Sequence, residues 1–319
     1  MAESPVLRRY PRLLAAALLT SALALGACGS DDSAEFSPAD EELTSEPVAQ
    51  APALCRKKLE ARITGSVESP AATELSGLVR SRTQRDVMWT HNDSGDRPRV
   101  LAISPRGRVL AEVAVSGADS RDWEDIAAGR DTLLIGDIGD NDAERESIVV
   151  YRIDEPRIAG GANTVKTTAR AGRIDLRYPD GAHDAEALLR DPDSGAIVIV
   201  EKRMDGRSGV YVADAPKPGR PATMRRAGRL FLGRGELVTA GDVSADGTTI
   251  ALRTYHHAFV WRRAEGEPVA DALLRKPCQV QAEMNEGQTE TIALTADGRA
   301  FYSVPEGEVP AIRRYAPRG

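Results

Sequence analysis

A glutamate recurs in register along this chain. It opens Glu74-Leu-Ser-Gly-Leu, Glu124-Asp-Ile-Ala-Ala, Glu186-Ala-Leu-Leu-Arg and Glu290-Thr-Ile-Ala-Leu. A fifth copy, running from Thr239 to Gly247, keeps the register but places threonine where the acid stands elsewhere. Successive copies are 50, 62, 53 and 51 residues apart. Seven residues after Glu124, Glu186, Thr239 and Glu290 come Asp131, Asp193, Asp246 and Asp297, which read as turn residues. Self-similarity at this period marks a radial or stacked architecture.

Each copy divides into short strand-like runs, with turns at Arg106-Gly107, Ser194-Gly195, Asp246-Gly247 and Asp297-Gly298. No segment carries a sustained apolar stripe of helical period. Four antiparallel strands per repeat is the blade of a β-propeller. The expected fold is therefore all-β and five-bladed, and the length of the second copy leaves six blades open. The fourth strand falls near Ala169–Leu176 in copy two, Thr223–Leu230 in copy three and Val269–Leu274 in copy four. The last copy lacks a fourth strand, and Leu59–Val67 belongs to no other copy. The N-terminal strand is thus expected to close the ring against the strand around Ile312, which removes exposed edges.

The amino terminus reads as an address. Arg8, Arg9 and Arg12 precede an apolar run, Leu13–Leu25, shorter than the about 20 residues that span a bilayer. Leu25-Gly26-Ala27-Cys28 has the form of a bacterial lipobox. Residues 1–27 are then a signal peptide, with cleavage before Cys28 and lipidation of that cysteine. Residues 28–54 carry seven acids and no lysine or arginine, and read as a disordered acidic tether; residues 55–319 form the propeller. The leader and tether account for nearly all of the net charge of −6, so the folded part is close to neutral and offers no basic face for nucleic acid. The expected location is exported, anchored by lipid to the bacterial membrane and facing outside the cytoplasm, as a monomer. Cys55 and Cys278 remain as a pair in an oxidising compartment, where a disulfide is expected. It would staple the ring shut.

In a propeller the first strand of each blade lines the central channel, so the recurrent acids gather at one mouth. The second strand returns to that mouth and adds polar exits: His91–Gly95, Gly136–Asn141, Glu201–Arg203, Arg253–His256 and Pro305–Gly307. Oxygen-only sets of this kind suit Ca2+ or Mg2+. The expected cation ligands are Glu74, Asp93, Glu124, Asp125, Asp137 and Asp140. Asn92, Asn141, Glu186, Lys202, Arg253, Tyr255 and Glu290 are expected to meet a ligand there. The alternative is that these acids only pair with cations and backbone N–H groups of neighbouring blades. Trp89, Trp123 and Trp261 read as inter-blade packing, and the four histidines as hydrogen-bonded strand-end residues. There is no nucleophile elbow, no phosphate-binding glycine loop and no dinucleotide fingerprint.

Several strings resemble a bacterial family of exported β-propellers, the esterase-like phytase group and its lipoprotein relatives. They are Glu74-Leu-Ser-Gly-Leu, Trp89-Thr-His-Asn-Asp-Ser-Gly95, Asp122-Trp-Glu-Asp-Ile-Ala127, Gly136-Asp-Ile-Gly-Asp-Asn141, Asp184-Ala-Glu-Ala-Leu188 and Gln288-Thr-Glu-Thr-Ile-Ala293. The resemblance implies a propeller with bound Ca2+ and phosphoester hydrolysis. Two expectations follow: a cation-binding module that meets an envelope ligand or protein partner, or a Ca2+-dependent phosphoesterase.

Overall fold

Alternation of apolar residues within each repeat, punctuated by turn glycines, builds five mainly antiparallel sheets around one axis. The structure is a computed structural model, and it describes residues 51–158 and 164–318. Cys28, the leader and most of the tether lie outside these residues. Among the described residues no helix is long and apolar enough to cross a membrane.

Blade one comprises β2 (Leu75–Arg80), β3 (Met88–Asn92), β4 (Arg99–Ile103) and β5 (Val109–Ser116), preceded in the chain by β1 (Leu59–Ser66). Blade two follows with β6 (Trp123–Ala128), β7 (Thr132–Asp137) and β8 (Ile148–Asp154), then β9 (Val165–Arg170) and β10 (Gly172–Arg177). Blade three is β11 (Ala185–Arg190), β12 (Ile197–Glu201), β13 (Arg207–Ala213) and β15 (Arg225–Phe231), with β14 (Ala222–Thr223) between the last two in the chain but paired elsewhere. Blade four is β16 (Val238–Val243), β17 (Thr249–Thr254), β18 (Ala258–Arg262), the helix α1 (Val269–Leu273) and β19 (Cys278–Gln279). Blade five is β20 (Ala293–Leu294), β21 (Phe301–Ser303) and β22 (Ala311–Pro317).

The ring closes as the repeat predicts. β1 pairs antiparallel with β22, Gly65 facing Ile312, so the first strand completes the last blade. The Cys55–Cys278 disulfide ties the chain just before β1 to β19 of blade four. Five apolar clusters fill the ring, each between two neighbouring blades. Trp89 and Trp123 are buried between blades one and two, and Trp261 between blades three and four, as their spacing implies.

Outer strands depart from the simple repeat in three places. The run around Ala169–Leu176 divides at Ala171. Its first half, β9, joins blade one in parallel with β5, while β10 completes blade two. In the same way Ala222–Thr223 joins β10 of blade two, leaving β15 to blade three. The third departure is Val269–Leu273, which is helical and not a strand; β19 supplies the fourth strand of blade four. Its Val269, Ala270, Ala272 and Leu273 are all buried against blades three and four, a pattern that a two-residue alternation cannot bury on one face.

Candidate functional site: a carboxylate cup at one end of the axis

The five inner strands run in the same sense, and four of them bulge near the same end. The bulges lie between Ser76 and Leu78, Trp123 and Asp125, Ala185 and Ala187, and Val238 and Ala240. A bulge leaves one residue unpaired and re-aims its side chain. The unpaired residues are Gly77, Glu124, Glu186 and Thr239, so the recurrent acid of blades two and three is a bulge residue. In blade one that position is Gly77. Glu74 lies three residues upstream and is exposed, which corrects its expected equivalence with Glu124. In blade five, Glu290 reaches the ring through a parallel bridge to Ser76.

All five blades contribute to the resulting cup. Asp93, Asp122 and Glu124 form one triad whose carboxylate oxygens lie within 4.8 Å of one another, and Asp93, Glu290 and Glu306 form a second. Asp93 belongs to both. On the far side Lys202 bonds Glu186, its ammonium lies 3.3 Å from the Tyr255 hydroxyl, and that hydroxyl donates to Glu290 at 3.0 Å. Glu186 and Glu290 each keep one buried carboxylate oxygen without a hydrogen-bond partner. Gly139 makes room for this crowding: a Cβ there would lie 2.1 Å from a Glu124 oxygen and 2.5 Å from an Asp122 oxygen.

Burial and mutual repulsion raise these acids together. Burial, then the Asp93 charge, pushes Asp122 up to about 6 against the opposing pull of Arg145. Burial, then Glu290, Asp93 and Glu74, pushes Glu306 up to about 7. Glu124 is held well above the ordinary range by burial and then by Glu186, Asp93, Asp122 and Glu290. Burial raises Glu186 as well, with Lys202 acting the other way. Asp93 is raised by burial, opposed by the Ser94 amide and Lys202. Cationic charge is thus short of what so many carboxylates need.

Other expected ligands have different work. Asp125 is fully buried below the cup: its carboxylate accepts from the amides of Ile126, Leu188 and Gly241, joining blades two, three and four. Asn92 is spent on its own chain, accepting from Thr73 and Glu74 and donating to Ala71 O and Asp96. Asp137 pairs with Arg145 at 2.9 Å, and Asp140 accepts from the amides of Glu144 and Arg145, so both organise the loop after β7. Asn141 is exposed on that loop. Arg253 does not face the cup. It is 0% exposed between blades four and five, contacting Glu286 at 3.3 Å and Met284 Sδ at 3.0 Å. The histidines do not converge. His91 lies in the interior edge-on to Trp123, kept neutral by burial that lowers it to about 4, while His183 bonds Asp180 and Glu201 and His257 bonds Glu236.

Below the cup, side chains bridge the axis from blade to blade. Asp125 reaches across from blade two to Gly241 of blade four. One level further along, Asp242 accepts from Val243 and Leu294, and Arg82 of blade one crosses to Asp242 and the Val243 carbonyl of blade four.

No protein-family model matches the chain, and no curated protein matches it. The likeness to the esterase-like phytase group therefore rests on the residue strings alone. Among solved structures, the PQQ-bound aldose sugar dehydrogenase of Streptomyces coelicolor aligns over 83% of this chain and 99% of its own, at 14% identity and a TM-score of 0.45. That similarity says nothing about chemistry here; the propeller is established by the sheet topology.

Proposed function

We propose that this chain is an exported, lipid-anchored propeller that holds a divalent cation in the carboxylate cup and presents it to an anionic envelope ligand or protein partner. The observation that carries the reading is the pair of triads sharing Asp93, in a cup whose acids are raised by burial and then by one another's charge. The donors are carboxylate oxygens without sulfur or imidazole, which favours Ca2+ over transition metals. The disulfide supports an oxidising compartment. Glu124 and Asp122 with Asp93, and Glu290 and Glu306 with Asp93, would hold the ion. Thermal melts test this. Ca2+ should raise the melting temperature, EDTA should reverse the rise, and Glu124→Gln should remove most of it. At a hundredfold excess over Kd the gain is about 2.7 kcal/mol. A wild-type melt indifferent to Ca2+ defeats the proposal.

One observation favours hydrolysis as a second reading. Lys202 is held at the cup between Glu186 and Tyr255, where an ammonium can meet a phosphoryl group beside a bound cation. Ca2+-dependent turnover of p-nitrophenyl phosphate that is lost in Lys202→Gln would support it. Absence of turnover across an ester panel leaves the binding reading alone.

A further inference from the structure

The inner strands that begin at the cup deliver arginines to the opposite end of the axis. β2 ends on Arg80 and β11 on Arg190, and Arg82 spans that end from blade one to blade four. The Arg80 guanidinium lies over the Tyr302 ring, its Cζ 5.8 Å from the ring centre, but hydrogen-bond donors in this group stay unused. Arg80 Nε and Arg82 Nη1 are buried with no hydrogen-bond partner. The Arg190 guanidinium has no hydrogen bond or ion pair among the described residues. It lies on the turn after β6, where a Cβ on Gly129 would come within 3.3 Å of its Cζ. Burial, then the like charges of Arg152 and Arg82, pushes Arg190 below its ordinary value, against Asp191 and Asp131.

Acids facing the cluster do little to neutralise it. Asp242 accepts from two backbone amides besides Arg82. Asp191 accepts from the amides of Asp193, Ser194 and Val269. Asp131 lies exposed on the turn. Around the same end, the turns after β2, β6 and β8 add the exposed Arg85, Arg130 and Arg157. The guanidiniums lie near enough for the Arg82 charge to act on Arg190 and for the Arg80 charge to act with Arg82 on Asp242. Planar guanidiniums with spare N–H donors match an oxyanion, which accepts several charge-assisted bonds at once.

We infer that the axial end opposite the carboxylate cup is an oxyanion site, in which Arg80, Arg82 and Arg190 seat a phosphate-type oxyanion. The source is either a soluble phosphate or the phosphate of a lipid headgroup, and the two differ in what they require of the test. Calorimetric titration of the full-length protein with inorganic phosphate is run in EDTA, against chloride of matched ionic strength. EDTA removes any cation from the cup, so the result is independent of the reading proposed for that end. Saturable binding is expected, weakened at least fivefold in Arg190→Gln and unchanged in Arg229→Gln, an exposed arginine on β15 of blade three. A parallel arm compares vesicles of phosphatidylcholine with and without phosphatidylglycerol. Phosphate binding assigns a soluble ligand. Capture by anionic vesicles alone, lost in Arg190→Gln, assigns the headgroup. If Arg190→Gln does not fold, the Nε–Hε resonances of Arg82 and Arg190 in the wild-type protein must shift on titration with phosphate or anionic vesicles. Resonances that stay in place, or binding to neither probe, overturns the inference.

Discussion

Asp125 and Glu124 are neighbours in sequence and opposites in role. The bulge at Glu124 sends one side chain into the cup and the next into the closed interior, where Asp125 gathers amides from three blades. Asp125→Ala leaves those donors unsatisfied in a fully buried site, and a loss of about 2–4 kcal/mol is expected in denaturant titration. Gly139→Ala should behave differently. The added methyl meets the ends of the Glu124 and Asp122 side chains and not backbone, so stability should change by less than about 1 kcal/mol. Ca2+ affinity should fall about tenfold by calorimetry, because the first triad can no longer close. Sequence spacing identified Glu124, Glu186 and Glu290 because their repeat is the blade repeat. It set Glu74 level with them, whereas the bulge position of blade one is Gly77, because the spacing between blades is not constant to the residue. Asp122 and Glu306 went unassigned as ligands although both stand in strings that the sequence marks as polar. Their signal was position relative to a bulge and a strand exit, visible only once pairing is known.

Among the elements, the outer strands bind the blades to one another. β9 leaves blade two for blade one, β14 leaves blade three for blade two, and β1 joins blade five from the far end of the chain. Each exchange makes separation of a blade cost hydrogen bonds in its neighbour as well. Turn glycines and alternating apolar residues made most inner strands legible, whereas these outer exchanges depend on which edge lies nearest in space. The helix α1 escaped because its burial is on two sides, between blades three and four. The Cys55–Cys278 bridge closes a sequence separation of 223 residues across the ring's seam. Its removal in Cys55→Ser, Cys278→Ser should cost about 2–5 kcal/mol, read from the midpoint of guanidinium unfolding. An unchanged midpoint would mean that β1 pairing alone secures the seam.

Taken as a whole, the molecule is polarised along its axis, with carboxylates at one end and guanidiniums at the other. Asp122 at about 6 and Glu306 at about 7 both lie above the ordinary carboxylate range near 4, so between those limits the folded state binds more protons than the unfolded chain. Stability without a cation should therefore rise as pH falls from 8 to about 5.5, the opposite of a salt-bridged acid. Ca2+ bound as proposed would compete with those protons, so its stabilising effect should be larger at pH 8 than at pH 5.5. Melting curves at the two values, with and without EDTA, check both signs. The plug of Asp125, Asp242 and Arg82 fixes what kind of vessel this is. A ligand held in the proposed cup would meet this floor and depart by the door through which it came. Exchange of such a ligand with solvent would be one-sided, and whatever touches the rim would govern arrival and escape alike.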